Sequence, residues 1–389
     1  MPTNTTTRTS WPAVVAVTMG IFSIVTTEIL PIGLLTTIGA DYRVSDGTAG
    51  WLMTVPGLVA AVAAPAVTVA TGRVDRRLML AVLMGLLAVA DFLAAVASSY
   101  WLLLVSRVLV GLTIGGFWSI GAGLAPRLVP ARSVGRATAV IFSAVPLGSV
   151  LGVPAGTLIG DLAGWRTSFV VLGVLTVGVL GALLMLLPPL PPMHVTSLGV
   201  LRDLLRRRNV RIGLLATVLV VTAHFGTYTY VTAFLEQVTG IASVSPLLLA
   251  FGIAGIVGNV LAGSAVSRDV RAAFLVSAGL LALATLSLPV IGTAAVGALA
   301  ALVVWGVAYG AVPACSQTWF ARSAPHAQEA ATVLFTSSFQ ATISVGALLG
   351  GVVVDSVSTS AVMVAGGMVA VLMVVAVLVW SRPGEPYQA

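Results

Sequence analysis

The sequence predicts an all-α membrane protein, twelve transmembrane helices in two pseudo-symmetric six-helix bundles. Three observations point there. Of 389 residues, 58% are hydrophobic and 8% charged, more apolar surface than a water-soluble chain of this size can bury. The apolar residues come in runs of about 20, the length that crosses a hydrocarbon layer as a helix. Arginines cluster between the runs, and the clusters recur in the second half of the chain.

The first run begins at Trp11 and passes Pro31, too long for a cleaved leader and without a small-residue cleavage site, so it reads as a retained first helix. Hydropathy places helices at 12–37, 49–70, 78–98, 101–124, 135–160 and 167–188. A second six follow at 210–235, 244–266, 272–291, 294–318, 328–353 and 358–380. Between them, Pro188-Pro189-Leu190-Pro191-Pro192 opens and Arg206-Arg207-Arg208 closes a polar connection, expected to be cytoplasmic and to carry a short interfacial helix. The expected organisation is a bundle over 1–188, a linker over 189–209 and a bundle over 210–389. Each half repeats a basic cluster after its second helix, Gly72-Arg73-Val74-Asp75-Arg76-Arg77 and Ser267-Arg268-Asp269-Val270-Arg271. Apart from Arg43, Arg107 and Arg166, every arginine falls in segments on the side of the termini, and retained arginine marks the cytoplasmic face. Both termini are therefore expected inside.

Composition also excludes function classes. All 19 basic residues are arginine, which removes Walker-type phosphate binding, Schiff-base catalysis and the Ser-x-x-Lys nucleophile. Cys315 is the sole cysteine, so no intramolecular disulfide can form, and no zinc-ligand spacing or Cys/His catalytic arrangement is present, so no metal site is expected. The net charge of +7 does not lie along one soluble face, which argues against nucleic acid as a partner. No catalytic residues are assigned.

Four ionisable residues fall within spans, where charge is costly and normally faces protein or water. They are Glu28, Asp91, Arg107 and His224. At ~1.5 Å of rise per residue, Asp91 and Arg107 lie about 10 Å and Glu28 about 13 Å from the outer surface, one shared layer. Asp91 and Arg107 could pair. Glu28 reads either as a proton-coupling carboxylate or as a permanently ionised partner of Arg107. Arg107 serves pairing or proton control, and Asp91 reads as structural. His224, one turn before Tyr228, is a ligand contact, an interhelical hydrogen-bond partner or a second proton site.

Several segments resemble a known family. Arg73-Val74-Asp75-Arg76-Arg77 is similar to the loop between helices two and three of the major facilitator superfamily, a structural or gating element there, and Arg107 with Gly111 and Gly115 matches its Arg-x-x-x-Gly pattern in helix four. Gly148-Ser149-Val150-Leu151-Gly152-Val153-Pro154-Ala155-Gly156-Thr157 resembles the glycine-proline antiporter motif of drug:proton exporters. Thr26 to Leu35 and Ala223 to Tyr230 look like the twelve-helix branch that contains sugar and purine-nucleoside exporters. In physical terms, Gly148, Gly152, Gly156 and Gly160 lie along one helix face and permit close backbone approach, while Pro154 favours a bend.

The resemblance implies a cavity between the bundles lined by helices one, four, seven and ten. The corresponding positions are Glu28, Trp118, His224, Tyr228, Trp305, Tyr309 and Gln317, with Asn259, Ser337, Ser338 and Gln340 as further candidates. Rings there would stack on planar ligands, and His, Tyr and Gln would orient them by hydrogen bonds. It further implies a proton-coupled antiporter that exports a sugar-like compound, nucleoside or drug by alternating access, without cofactor and with protons as the coupling ion. The expected setting is a monomer in the lipid bilayer of the bacterial inner membrane. An uncoupled facilitator of the same fold and a lipid-modifying membrane enzyme are the alternatives.

Overall fold

The computed structural model describes residues 10–71, 74–121, 124–191, 203–241, 243–324 and 328–381. Twelve helices in it are long and apolar enough to cross a membrane. They are α1 (Trp11–Tyr42), α2 (Asp46–Val67), α3 (Arg76–Val96), α4 (Tyr100–Gly121), α5 (Ala131–Ala163) and α6 (Trp165–Leu186) in the first half. The second half holds α7 (Arg208–Tyr228), α8 (Ser245–Arg268), α9 (Val270–Ile291), α10 (Ala295–Ser323), α11 (Leu334–Ser356) and α12 (Thr359–Trp380). The outer surface of the bundle inverts the rule for water-soluble proteins: Val62, Leu162, Val260 and Val296 are each at least 70% exposed. Such side chains suit lipid, where their exposure costs nothing.

Helix pairing reveals the duplication. In the first half α1 packs on α5 and α6, α2 on α4, and α3 on α4 and α6. Adding six to each number gives the pairs of the second half: α7 on α11 and α12, α8 on α10, α9 on α10 and α12. The same symmetry relates the two seams between halves, α2 with α11 and α5 with α8. It extends to single hydrogen bonds. Asp75 caps α3 by accepting from the Arg77 and Leu78 amides, and Asp269 caps α9 by accepting from the Arg271 and Ala272 amides, each satisfying donors that a helix start leaves free.

Several boundaries differ from the hydropathy reading. α1 runs on to Tyr42, where Arg43 adopts a left-handed conformation and ends it. α7 stops at Tyr228 rather than near residue 235, because Tyr230 leaves helical geometry and turns its hydroxyl to the Ala347 carbonyl of α11 at 2.7 Å. A short helix, Val231–Phe234, and a wide π turn, Leu235–Thr239, complete that segment. α10 extends to Ser323, beyond the expected end near 318. In the linker, where a short interfacial helix is expected, residues 203–206 are helical and residues 192–202 lie outside those described.

The two halves are closed together on the face away from the termini. Asp355 of α11 accepts from the Ser45 hydroxyl at 2.6 Å and the Gly47 amide at 2.9 Å. Gln237 donates to Asp46, Thr36 to Glu236, and Ser245 to Asp161. The Thr232 hydroxyl reaches the Ile32 carbonyl at 2.7 Å.

Candidate functional site

Below that closed face a cavity of about 340 Å³ lies between the halves, in the size range of small-molecule sites. It extends from the level of Glu28 and Ile343 toward the side of the termini, past Trp118, Asn259, Gln317 and Phe335. Of the residues singled out from sequence, Glu28, Trp118, His224, Tyr228, Asn259, Tyr309, Gln317 and Gln340 line it. Trp305, Ser337, Ser338, Asp91 and Arg107 do not.

Glu28 is the acid of this cavity. α1 presents it from the first half, and Gln340 on α11 of the second donates Nε2–H to its Oε1 at 2.9 Å. An amide donor tolerates either protonation state of the carboxyl, since the other oxygen can carry a hydrogen. The ion pair with Arg107, the alternative reading of Glu28, does not form. Among the described residues the one carboxylate–guanidinium pair within 4.0 Å is Arg166–Asp41, at the closed end of the bundle.

Arg107 is spent on backbone instead. Its Nε donates to the Leu52 carbonyl at 3.0 Å, Nη1 to the Thr27 carbonyl at 3.0 Å and Nη2 to the Glu28 carbonyl at 2.9 Å. The expected pair with Asp91 is likewise absent, because the guanidinium faces α1 and α2. The Asp91 carboxylate accepts from Thr27 at 3.1 Å and Thr176 at 3.3 Å, which ties α3 to α1 and α6. Both side chains are fully buried.

The opposite wall is aromatic. The His224 ring stacks on Tyr309 with centroids 3.3 Å apart and planes 7° apart, and on Tyr228 at 5.0 Å and 17°. Phe251 of α8 continues the stack against Tyr228 at 4.4 Å. Trp305, expected in the cavity, is fully buried behind this wall because its indole N–H is drawn to His224 Nδ1, at 3.0 Å. Indole can only donate, so the neutral imidazole carries its hydrogen on Nε2.

Comparisons with known proteins decide the family. The sequence profile of the Major Facilitator Superfamily matches residues 16–345. The chain belongs to this superfamily. It is 32% identical over 381 residues to the purine ribonucleoside efflux pump NepI of Shigella dysenteriae serotype 1, covering 97% of this chain and 95% of that one. The NepI pump of Salmonella paratyphi A is 34% identical over 351 residues, 90% of this chain and 88% of the relative. Among solved structures, a bacterial homolog of the human lysosomal transporter Spinster, inward-facing and occupied, superposes with a TM-score of 0.74 at 16% identity, over 95% of this chain and 96% of that one. Membership makes the chain a multi-pass membrane transporter of a small molecule rather than an enzyme.

The superfamily's motifs can now be placed. Gly148, Gly152, Gly156 and Gly160 form a seam inside the first half, where added Cβ atoms would collide with Val25, Thr26, Leu30 and Leu34 of α1. α5 widens into a π turn over Gly148–Gly152 just before Pro154, which lacks the N–H that a regular turn would offer. Asp75 takes the Leu190 amide at 2.7 Å, Arg76 donates to the Thr71 carbonyl and Arg77 to the Leu184 carbonyl. Asp75 and Arg77 thus hold α3 to the start of the linker and the end of α6, and Arg76 holds it to the segment that follows α2, all within one half. Arg73 lies outside the described residues.

Sequence reasoning missed Phe251, Phe335, Thr336 and Phe339, all cavity-lining. Part of the signal existed on α11: starting from Gln340, helical spacing leads to Thr336 and Ile343 and turns Ser338 away. It admits Ser337 too, and only the packing shows that the cavity lies on the Phe339 side. Ser338 donates to the Phe335 carbonyl, and the Ser337 hydroxyl is buried in the bundle. Phe251 carried no such signal, since α8 is apolar around much of its circumference.

Proposed function

We propose that this transporter exports a purine ribonucleoside, or a similarly planar and hydroxylated molecule, in exchange for protons. The observation that carries the reading is Glu28, a carboxyl with no guanidinium within 4.0 Å among the described residues, at the wall of the cavity and hydrogen-bonded across the seam by Gln340. Such an acid can take up and release a proton as the halves move, whereas one locked in an ion pair would stay charged. His224 is a poorer carrier, because protonating Nδ1 would set two N–H groups against each other at the Trp305 contact.

The stacked rings of His224, Tyr228, Tyr309 and Phe251 offer planar faces to a base, and Asn259 and Gln317 add amide groups able to meet hydroxyls. Two NepI pumps that it resembles over most of their length are named for purine ribonucleoside efflux, which supports the same ligand class. With the termini in the cytoplasm, as the arginine distribution expects, the cavity lies on the loading side and the closed face is external. Substrate would enter while Glu28 is deprotonated; rocking of the halves would open the outer face, and external protonation of Glu28 would drive release and return.

The test uses proteoliposomes, labelled adenosine and an imposed pH gradient. Wild-type protein should move nucleoside against its gradient, and Glu28→Gln should lose that drive while still binding ligand. Equilibration that ignores the pH gradient in the wild type would instead establish an uncoupled facilitator.

A further inference from the structure

We propose that Arg107 is a positioning residue that supplies the hydrogen-bond donors two prolines remove, and thereby sets where the Glu28 carboxyl enters the cavity. Proline has no N–H, so within a helix the carbonyl four residues earlier loses its partner. Pro31 in α1 leaves the Thr27 carbonyl without one, and Pro56 in α2 does the same to the Leu52 carbonyl. In hydrocarbon no water can replace the lost bond. Arg107 reaches both, Nη1 to Thr27 and Nε to Leu52, each at 3.0 Å, and its remaining arm takes the adjoining Glu28 carbonyl.

The register of α2 against α4 explains the spacing of the motif. A Cβ at Gly111 would collide with Pro56, and one at Gly115 with the Ala60 carbonyl, so the two helices run parallel in matched steps of four. Arg107, one turn before Gly111, therefore comes level with Leu52, one turn before Pro56. The glycine admits the proline-bearing helix, and the arginine fills the bond that the proline opened.

The second half provides an internal control. Gly306 and Gly310 of α10 pack on Phe251 and Gly255 of α8 as Gly111 and Gly115 pack on Pro56 and Ala60. There the residue matching Pro56 is Phe251, which keeps its N–H, and α7 contains no proline. The residue matching Arg107 is Leu302, fully buried. Where the prolines are missing, so is the guanidinium.

Arg107 and the Thr27–Asp91 bond thus hold the turn of α1 ahead of Pro31 against α4, α2 and α3. The Glu28 side chain is left to project toward Gln340. That Glu28 is the group whose placement matters rests on the proton-coupled reading above; the replacement of donors does not.

A double-mutant cycle on the full-length protein tests this. Arg107→Met, which keeps an apolar stem and removes every donor, is made in the wild type and in a Pro31→Ala/Pro56→Ala background. Thermal unfolding should show the arginine substitution costing less than roughly half as much once the amides are restored. Nucleoside transport per folded molecule, lowered at least about tenfold by Arg107→Met alone, should recover several-fold in the triple variant. Equal losses in both backgrounds would overturn the proposal. Should Arg107→Met alone fail to fold, a folded triple variant supports it, and an unfolded triple variant beside a folded double-alanine protein refutes it. The thermal arm involves neither protons nor nucleoside, so it stays readable whether or not the protein couples them.

Discussion

The two halves share one helix-pairing scheme and differ in what they bury. The first half holds Glu28, Asp91 and Arg107 in its interior, with prolines in α1 and α2. At the corresponding depth the second half presents His224, Tyr228, Phe251, Trp305 and Tyr309. Duplication thus preserved the packing of the scaffold while its contents diverged, with the ionisable Glu28 on the cavity wall of the first half and the His224–Tyr309 ring stack on that of the second. A cavity between unlike walls can hold a proton and a planar ligand on separate groups, so that each half is open to separate perturbation.

That division can be broken from either side. The largest effect is expected from Glu28→Gln, which should cut pH-driven nucleoside accumulation in vesicles to near background and leave ligand-induced thermal stabilisation in place. Next is Tyr309→Leu in the opposite wall. It should weaken nucleoside binding by about tenfold to a hundredfold, since aromatic–base stacking contributes ~1–3 kcal/mol, while proton dependence of the residual transport persists. If the tyrosine variant lost proton dependence as well, or the glutamine variant lost binding, the two walls would not be separable.

Smaller effects sharpen the comparison. Gly111→Leu and Gly306→Leu insert side chains at symmetric seams, and each should destabilise by at least about 1–3 kcal/mol in thermal unfolding. Similar losses are expected; a large inequality would show that the halves do not share a packing plan. The chain has three histidines, His194, His224 and His326, so ¹⁵N NMR of labelled protein can isolate His224. A single tautomer with hydrogen on Nε2 is expected, giving way to a mixture in Trp305→Phe. The mildest effect concerns the closed face. Burial there raises the Glu236 carboxyl above the ordinary range, opposed by the Thr36 hydroxyl and reinforced by Asp46 and Asp161. A group raised in the closed state favours closure when protonated, so closure is unpenalised below the ordinary glutamate value of ~4.3 and loses stability as pH rises through the raised one. Spin-label distances across this face should show that trend, and Glu236→Gln should flatten it.

Much of the cavity lining was legible in the amino-acid sequence. Glu28, His224, Tyr228 and Tyr309 stood out because polar and ionisable groups are rare in membrane spans and each sat on a helix expected to line the cavity. What misled was charge. Arg107 lay at the same depth as two acids, which suggested pairing, and only the packed structure shows its donors taken by carbonyls of α1 and α2. Trp305 was misplaced because the sequence gives a helix and a depth and leaves the side chain's direction open.

The amino-acid order alone determined the number of spans, their alternation, the duplication and the solvent, because a lipid environment forces backbone bonds to close within each helix and makes hydropathy decisive. Which polar groups meet was decided by tertiary packing. A buried arginine, acid or histidine has several acceptors and donors within reach of its helix, and those that it takes depend on where neighbouring backbones come close, which here was set by glycines and prolines facing each other across helix pairs.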